Sequence, residues 1–228
     1  MLPRSLTAVF CLFLLLPFTT NAQVRLGIEA GPNFSQLLNA VKGFDASGSA
    51  VTMNSQAITQ FFGGVFADIP LGKKQLASFR PALQYFGAGG EIQQRLDYNG
   101  NLLVPETKIT LNYIQLPLQL LLTPPMPFGK LWVGGGFYEG VLLSGKSATQ
   151  SGSESLVIGN KQNDQVKRFD LGFTLTAGVI LKPGVVLGAD YRRSLGTIDP
   201  PLSGTDLKLG TRNSVWSIHL AYEWKLKH

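Results

Sequence analysis

The sequence predicts an all-β fold: an eight-stranded antiparallel up-and-down transmembrane β-barrel, preceded by a cleavable signal peptide. Three observations predict it. The chain opens on an export leader, eight long segments alternate apolar with polar or small residues, and their connections alternate long with short.

The leader comes first. Met1-Leu2-Pro3-Arg4 carries one positive charge, an apolar run from Leu6 to Phe18 is broken only by Thr7 and Pro17, and Thr20-Asn21-Ala22-Gln23 closes it with small residues. That layout predicts a signal peptide over 1–22, cleaved after Ala22, and a barrel domain over 23–228. An anchor helix is the alternative, but an apolar stretch of about 13 residues falls short of the roughly 20 that cross a bilayer. Cys11, the sole cysteine, lies inside the apolar run behind Ala8-Val9-Phe10, where it makes a poor lipoprotein cysteine, and it leaves with the leader. The mature chain therefore has no disulfide and no thiolate metal site.

Removing 22 of 228 residues leaves 206, a single domain by length. Losing Arg4 leaves 19 basic against 14 acidic residues, a charge of +5. This suits an anionic lipid surface, while the lack of any Lys/Arg block argues against nucleic acid. Only 15% of the chain is charged and 44% is hydrophobic, yet after the leader no 18 consecutive residues are apolar. Helical membrane spans are thereby excluded, and strands remain.

The eight strands are expected at about 24–35, 57–69, 77–93, 108–122, 130–143, 168–182, 185–194 and 214–226, bounded by Gly, Pro, Asn and Asp. The first sets Val24, Leu26, Ile28 and Phe34 against Arg25, Glu29 and Asn33. In the fourth, Ile114, Leu116, Leu118 and Leu120 oppose Tyr113, Gln115, Pro117 and Gln119. In the sixth, Phe169, Leu171, Phe173 and Leu175 oppose Asp170, Gly172, Thr174 and Thr176. The last is the clearest: Trp216, Ile218, Leu220, Tyr222 and Trp224 share one parity, and Ser217, His219, Ala221 and Glu223 the other. Because side chains alternate faces along a strand, each segment has one greasy face.

A soluble sandwich alternates too, so length and connections decide. Soluble strands run about 5–6 residues, whereas a tilted membrane strand needs about 9–11. The long connections, about 36–56, 94–107, 144–167 and 195–213, alternate with Pro70–Leu76, Thr123–Gly129 and the Lys182-Pro183-Gly184 turn. Loops on one side and turns on the other are the outer-membrane barrel layout, with both termini in the periplasm and the long loops extracellular. Closure follows, since hydrocarbon leaves no backbone group unpaired. Trp132, Tyr138, Tyr191, Trp216, Tyr222 and Trp224 fall near strand ends. Trp132, Tyr191, Trp216, Tyr222 and Trp224 are accordingly expected on the lipid-facing surface as interfacial girdles, the alternative being ordinary strand aromatics.

Several motifs, in order, carry a family resemblance. They are Val24-Arg25-Leu26-Gly27-Ile28-Glu29-Ala30-Gly31-Pro32-Asn33-Phe34-Ser35, Tyr113-Ile114-Gln115-Leu116-Pro117-Leu118, and Gly134-Gly135-Gly136-Phe137-Tyr138 running into Leu142-Leu143-Ser144-Gly145-Lys146. Phe169-Asp170-Leu171-Gly172 with Ala177-Gly178, and Leu187-Gly188-Ala189-Asp190-Tyr191 with Ser194-Leu195, complete the set. Together they span almost the whole mature chain, which resembles the outer-membrane β-barrel domain proteins of the Bacteroidota, the PorT-family or porin-family proteins. The resemblance implies an eight-stranded outer-membrane barrel and fixes no activity, though some members take part in protein secretion. Such barrels commonly end on an aromatic residue read by the assembly machinery. This chain ends Trp224-Lys225-Leu226-Lys227-His228, which moves the expected signal inward to Trp224 or Leu226.

The inward parity carries Arg25, Glu29, Asp170, Asp190, Arg192, His219 and Glu223. Eight strands enclose a lumen just wide enough for side chains, and buried charges are costly unless paired. These residues are therefore expected to form an internal polar plug, with Arg25 or Glu29 as partners for His219 and Glu223; a proton path or narrow pore is the alternative. Ser217, His219 and Glu223 invite a Ser-His-acid reading, but residues four apart on a strand lie about 13 Å apart, so Glu223 does not orient His219. No His/Asp/Glu cluster has zinc spacing, and Asp164 and Asp199 lie in loops without a calcium-loop pattern. Val133-Gly134-Gly135-Gly136 lacks the Lys-Ser/Thr of a phosphate loop; a close strand approach or a barrel kink explains it better.

The expectation is an integral outer-membrane barrel without catalytic, cofactor or metal site, structural or interaction-bearing, its long loops contacting ligands or partners. A small porin-like channel or a transport or secretion accessory is the alternative, and a lipid-modifying enzyme comes third. The partners expected are outer-membrane lipids, the barrel-assembly machinery during biogenesis, and an extracellular ligand or secretion-system component, with no nucleic acid.

Overall fold

The computed structural model describes residues 24–226 apart from 40, 45–49, 54, 73, 94, 97–101, 105, 128, 162–163 and 201–209. The expected signal peptide, 1–22, lies outside the described residues. Eight strands form the barrel: β1 Arg25–Leu38, β2 Ile58–Leu71, β3 Ala77–Ile92, β4 Thr107–Leu122, β5 Gly129–Thr149, β6 Phe169–Leu181, β7 Val185–Ser194 and β8 Arg212–Lys225. Each pairs antiparallel with its chain neighbours, and β8 pairs with β1 over Lys225↔Arg25 through Arg212↔Leu38, closing the ring. Closure leaves no unpaired edge, which is what hydrocarbon requires.

Most strand ends lie within two residues of expectation; β1 runs three further, to Leu38, and β5 six further, to Thr149. The extra residues of β5, Ser144-Gly145-Lys146-Ser147-Ala148-Thr149, are polar and therefore read as loop. They pair with Thr107–Asn112 of β4 on one side and with Gly152–Ser155 on the other, after a register shift between Leu142 and Ser144. A strand paired on both sides outside the apolar belt needs no greasy face, so periodicity gives no sign of it.

The register sets the tilt. Starting at Ile69, the partners run Phe79, Leu120, Gly135, Leu175, Tyr191, Trp216 and Phe34, returning to β2 at Thr59. One circuit therefore climbs 69 − 59 = 10 residues toward the end that carries the long loops, and strands with such a stagger must tilt. Alternation then sorts the side chains. Ile28, Phe61, Leu83, Leu120, Phe137, Leu175, Leu187 and Ile218 are exposed on the outer wall, while the opposite parity fills the lumen.

Two apolar clusters lie inside. One, at the turn end, comprises Phe66, Ala82, Leu121, Trp132, Ile180, Val186 and Ala221. The other, at the loop end, comprises Leu37, Phe62, Phe86, Ala88, Leu111, Tyr113, Leu142 and Val215, and is capped by Val166 and Ile198 from the loops. Backbone bonds tie that cap down: the Leu142 amide donates to Arg168 O, Lys167 N to Ile198 O and Ile198 N to Thr211 O.

Candidate functional site: the barrel interior

The polar side chains of the lumen form layers along the barrel axis. At the turn end Arg25 Nη1 donates to Glu223 Oε1 at 3.0 Å. Next, Arg80 Nη2 donates to Asp68 Oδ2 at 2.8 Å, and the Arg80 guanidinium lies 4.7 Å from the Phe66 ring centroid and 5.0 Å from that of Trp132. Both members of that pair are almost fully buried. A guanidinium held between a carboxylate and two aromatic faces is paired in charge and shielded from water, the condition under which a buried ion is tolerated.

The middle layers centre on two groups. Asp190 accepts from Thr176 Oγ1 and lies 3.3 Å from His219 Nδ1 and 3.6 Å from Arg192 Nη2. Arg192 Nη1 donates to Gln84 Oε1 at 2.7 Å and Gln115 Oε1 at 2.8 Å, and Gln84 Nε2 passes the chain on to Glu29 Oε1. Arg192 also sits over the Phe86 ring, 4.5 Å from its centroid. At only 1% exposure it plugs the lumen at this level. Nearby, Ser217 Oγ donates to Asn33 Oδ1 at 2.7 Å, and Asn33 Nδ2 donates to Gly87 O at 2.8 Å.

Toward the loops the chemistry changes. Among the described residues, Asp170 has no cation beside it. Its Oδ2 accepts from Ser194 Oγ at 2.8 Å, Asn213 Nδ2 at 3.0 Å and Tyr138 OH at 3.4 Å, and Asn213 Nδ2 also donates to Tyr113 OH at 3.2 Å. One carboxylate oxygen collects three neutral donors.

The seven inward charged residues read from the sequence all lie in the lumen: Arg25, Glu29, Asp170, Asp190, Arg192, His219 and Glu223. Arg25 meets Glu223 across the closing strands, whereas Glu29 is held by Gln84 from β3 and His219 by Asp190 from β7. Ser217, His219 and Glu223 each face a different partner, so they build no triad. Asp164 accepts from the Lys161 amide and Asp199 from the Thr211 amide, both fastening loop backbone.

Trp132 corrects the girdle expectation. It points inward, fully buried, and stacks on His219 with centroids 5.6 Å apart at an 18° interplanar angle. The reason is lumen volume. Gly178 on β6 and Gly188 on β7 face it, and a Cβ at either position would run into the indole. The signal was present: Trp132, Gly134, Gly136 and Tyr138 share a parity opposed by Leu131, Val133 and Phe137. Nearness to a strand end is a weaker cue than parity. On the outer wall, Tyr191 and Trp216 have centroids 4.8 Å apart, and Tyr222 and Trp224 6.4 Å apart. Gly134 and Gly136 lie against the β4 backbone at Leu120 and Leu118, a close strand approach.

The sequence reading left out Asp68, Arg80, Gln84 and Gln115 as lumen partners, although Ser78, Arg80 and Gln84 alternate with Phe79, Leu83 and Tyr85. At the turn end the lumen opens into a cleft of about 730 Å³ lined by Arg25, Lys130, Lys182, Glu223 and Lys225, and the Asp68–Arg80 layer lies just beyond it.

Among solved structures, the chain is similar to Ail, the attachment invasion locus protein of Yersinia pestis, at 12% identity, covering 89% of this chain and 99% of that one with a TM-score of 0.43. Neisserial surface protein A matches at 11% identity, with 87% and 97% covered and a TM-score of 0.46. The outer membrane protease OmpT of Escherichia coli matches at 12%, with 92% and 99% covered and a TM-score of 0.44. No curated protein matches the chain. The family model described as outer membrane protein beta-barrel domain matches residues 18–199, most of the sequence, and the chain belongs to that family.

Proposed function

We propose that this outer-membrane barrel is a non-conducting, non-enzymatic anchor that presents its long loops to a ligand or partner outside the cell. The observation that carries the reading is the filled lumen. From the Asp68–Arg80 pair to Arg192 with Gln84 and Gln115, each layer is occupied by buried, mutually bonded side chains, with an apolar cluster toward either end. A pore needs a continuous polar path, and ion selection needs groups open to it. Here the charged groups face each other or neutral donors inside the lumen.

The alternation of long loops and short turns supports an orientation with turns and termini in the periplasm and loops outside. The ordered motifs support a place within the PorT-type Bacteroidota group. The lipid contacts, the passage through the barrel-assembly machinery and the export leader all follow from the membrane location. Val166 and Ile198 from the loops cap the lumen, and the exposed polar return strand Gly152–Ser155 that pairs with the β5 extension is the surface offered to a partner.

Purified protein in a planar bilayer is expected to stay silent across voltages. Stable single-channel steps would overturn the reading in favour of a small channel.

A further inference from the structure

Among the described residues, two charged side chains interrupt the apolar outer wall below the loop ends of the strands. Glu139 stands in the outward row of β5 between Phe137 and Val141, flanked across the ladders by Leu116 and Leu171. Arg193 stands in the outward row of β7 beyond Tyr191, with Phe173 and Ser214 as ladder neighbours. Neither is ion-paired with another described residue. Charge on a lipid-facing wall is unfavourable and, where retained, is commonly matched by a partner.

The register places the two at one depth. Glu139 pairs with Leu171, and Leu195 N donates to Leu171 O, so the line perpendicular to the strands runs from Glu139 to Leu195. Each strand step climbs 10/8 = 1.25 residues, so two steps climb 2.5, and 195 − 2.5 = 192.5 marks the level point on β7, beside Arg193. The same construction brings Phe34, Phe61, Ile114 and Trp216 to this level on other strands. The two charges therefore stand in a ring that is otherwise apolar, straddling β6 at two strand spacings, about 10 Å.

Nearer the loops the wall is uneven. One step on, β1, β2, β4 and β8 turn to Gln36, Thr59, Asn112 and Ser214. On β5 to β7 the surface stays greasy, with Leu143 55%, Phe169 39% and Leu195 48% exposed. A lipid belt has one height around a barrel, so the extra apolar height on this side marks a face that lipid alone does not cover.

We propose that the loop-end half of the β5–β7 outer face is a dimerisation surface for a second copy of this chain, in which Glu139 of each protomer meets Arg193 of the other across a twofold axis that passes in front of β6 at Leu171 and Phe173. Two copies inserted in the same sense are related by an axis along the membrane normal, which exchanges left and right at constant depth. Opposite charges at equal depth on either side of β6 are thereby self-complementary, and Leu171 and Phe173 meet on the axis. Like charges would repel under the same operation.

The test is cysteine crosslinking of the full-length protein in native outer membranes, since the chain carries no cysteine after Cys11. Leu171→Cys on β6 is expected to give a covalent dimer on oxidation, and Leu83→Cys, on the remote strand β3, is expected to stay monomeric. In the Leu171→Cys background, Glu139→Arg and Arg193→Glu are each expected to lower the dimer at least about tenfold, because like charges are juxtaposed, and the double reversal to restore it. Glu139→Gln serves where a reversal fails to show heat-modifiable migration. Equal crosslinking at Leu83 and Leu171, no loss on either reversal, or no recovery in the double variant would overturn the proposal, and would leave lipid as the covering of this face.

Discussion

The two halves of the lumen keep a buried carboxylate by different means. Near the turns, Asp68 faces Arg80 at 2.8 Å inside a wall made by Phe66 and Trp132, and Arg25 faces Glu223 at 3.0 Å. Near the loops, the partners of Asp170 among the described residues are Ser194, Asn213 and Tyr138. In the first case a formal charge is matched by a formal charge, and removing either strands the other in a low-dielectric interior. In the second, the donors are neutral and converge on one oxygen, so what the site requires is an acceptor and not a negative charge. The arrangement separates two jobs that a sequence writes with the same letter.

The largest contrast is therefore expected from one substitution made in both halves. Asp68→Asn leaves the Arg80 guanidinium buried without its counter-charge and is expected to cost about 3–5 kcal/mol. Urea titration of the reconstituted barrel, followed by tryptophan fluorescence, gives the number. Adding Arg80→Met to Asp68→Asn removes the stranded charge and is expected to recover most of the loss. A cost for Asp68→Asn under about 1 kcal/mol would show that the ring faces of Phe66 and Trp132 alone hold Arg80, and the distinction between the halves would fall.

How much of this was legible in advance follows from what alternation can encode. Parity on β1, β6 and β8 reports which residues face inward, because lipid demands an apolar outward row. Pairing is another matter. Arg25 meets Glu223 and Asp190 meets His219 across ladders between neighbouring strands, but Glu29 on β1 meets Gln84 on β3, and Arg192 on β7 meets Gln84 and Gln115, only because a ten-residue stagger sets which levels coincide across the lumen. The stagger is a property of the closed register, and no local pattern carries it. Trp132 shows the reverse failure: its parity was readable, and position near a strand end outweighed it. Glu139 and Arg193 were equally visible as breaks in outward rows, yet their common depth emerges only once the register is known.

The middle-sized effect sharpens the comparison from the loop side. Asp170→Asn keeps an oxygen where Ser194, Asn213 and Tyr138 donate and is expected to cost about 1 kcal/mol or less. Asp170→Ala removes the acceptor for all three and is expected to cost about 1.5–3 kcal/mol, the range for hydrogen bonds to a charged group. Both are read in the same titration as Asp68→Asn. If Asp170→Asn proved as damaging as Asp170→Ala, the negative charge would matter after all, and the two halves would obey one rule.

A comparably small effect is expected midway between the halves, where neither ion pairs nor a carboxylate are involved. Ser217 Oγ donates to Asn33 Oδ1 at 2.7 Å, and Asn33 in turn donates to Gly87 O, so the hydroxyl satisfies one acceptor in a short neutral chain. Ser217→Ala leaves that oxygen unpaired inside the barrel, at a cost of about 1 kcal/mol. His219, two residues along β8, keeps Asp190 and the Trp132 stack, so its environment is expected to stay unchanged in the variant. An imidazole proton resonance of His219 that moved on Ser217→Ala would couple the two sites, reviving the serine–histidine reading that their separate partners argue against.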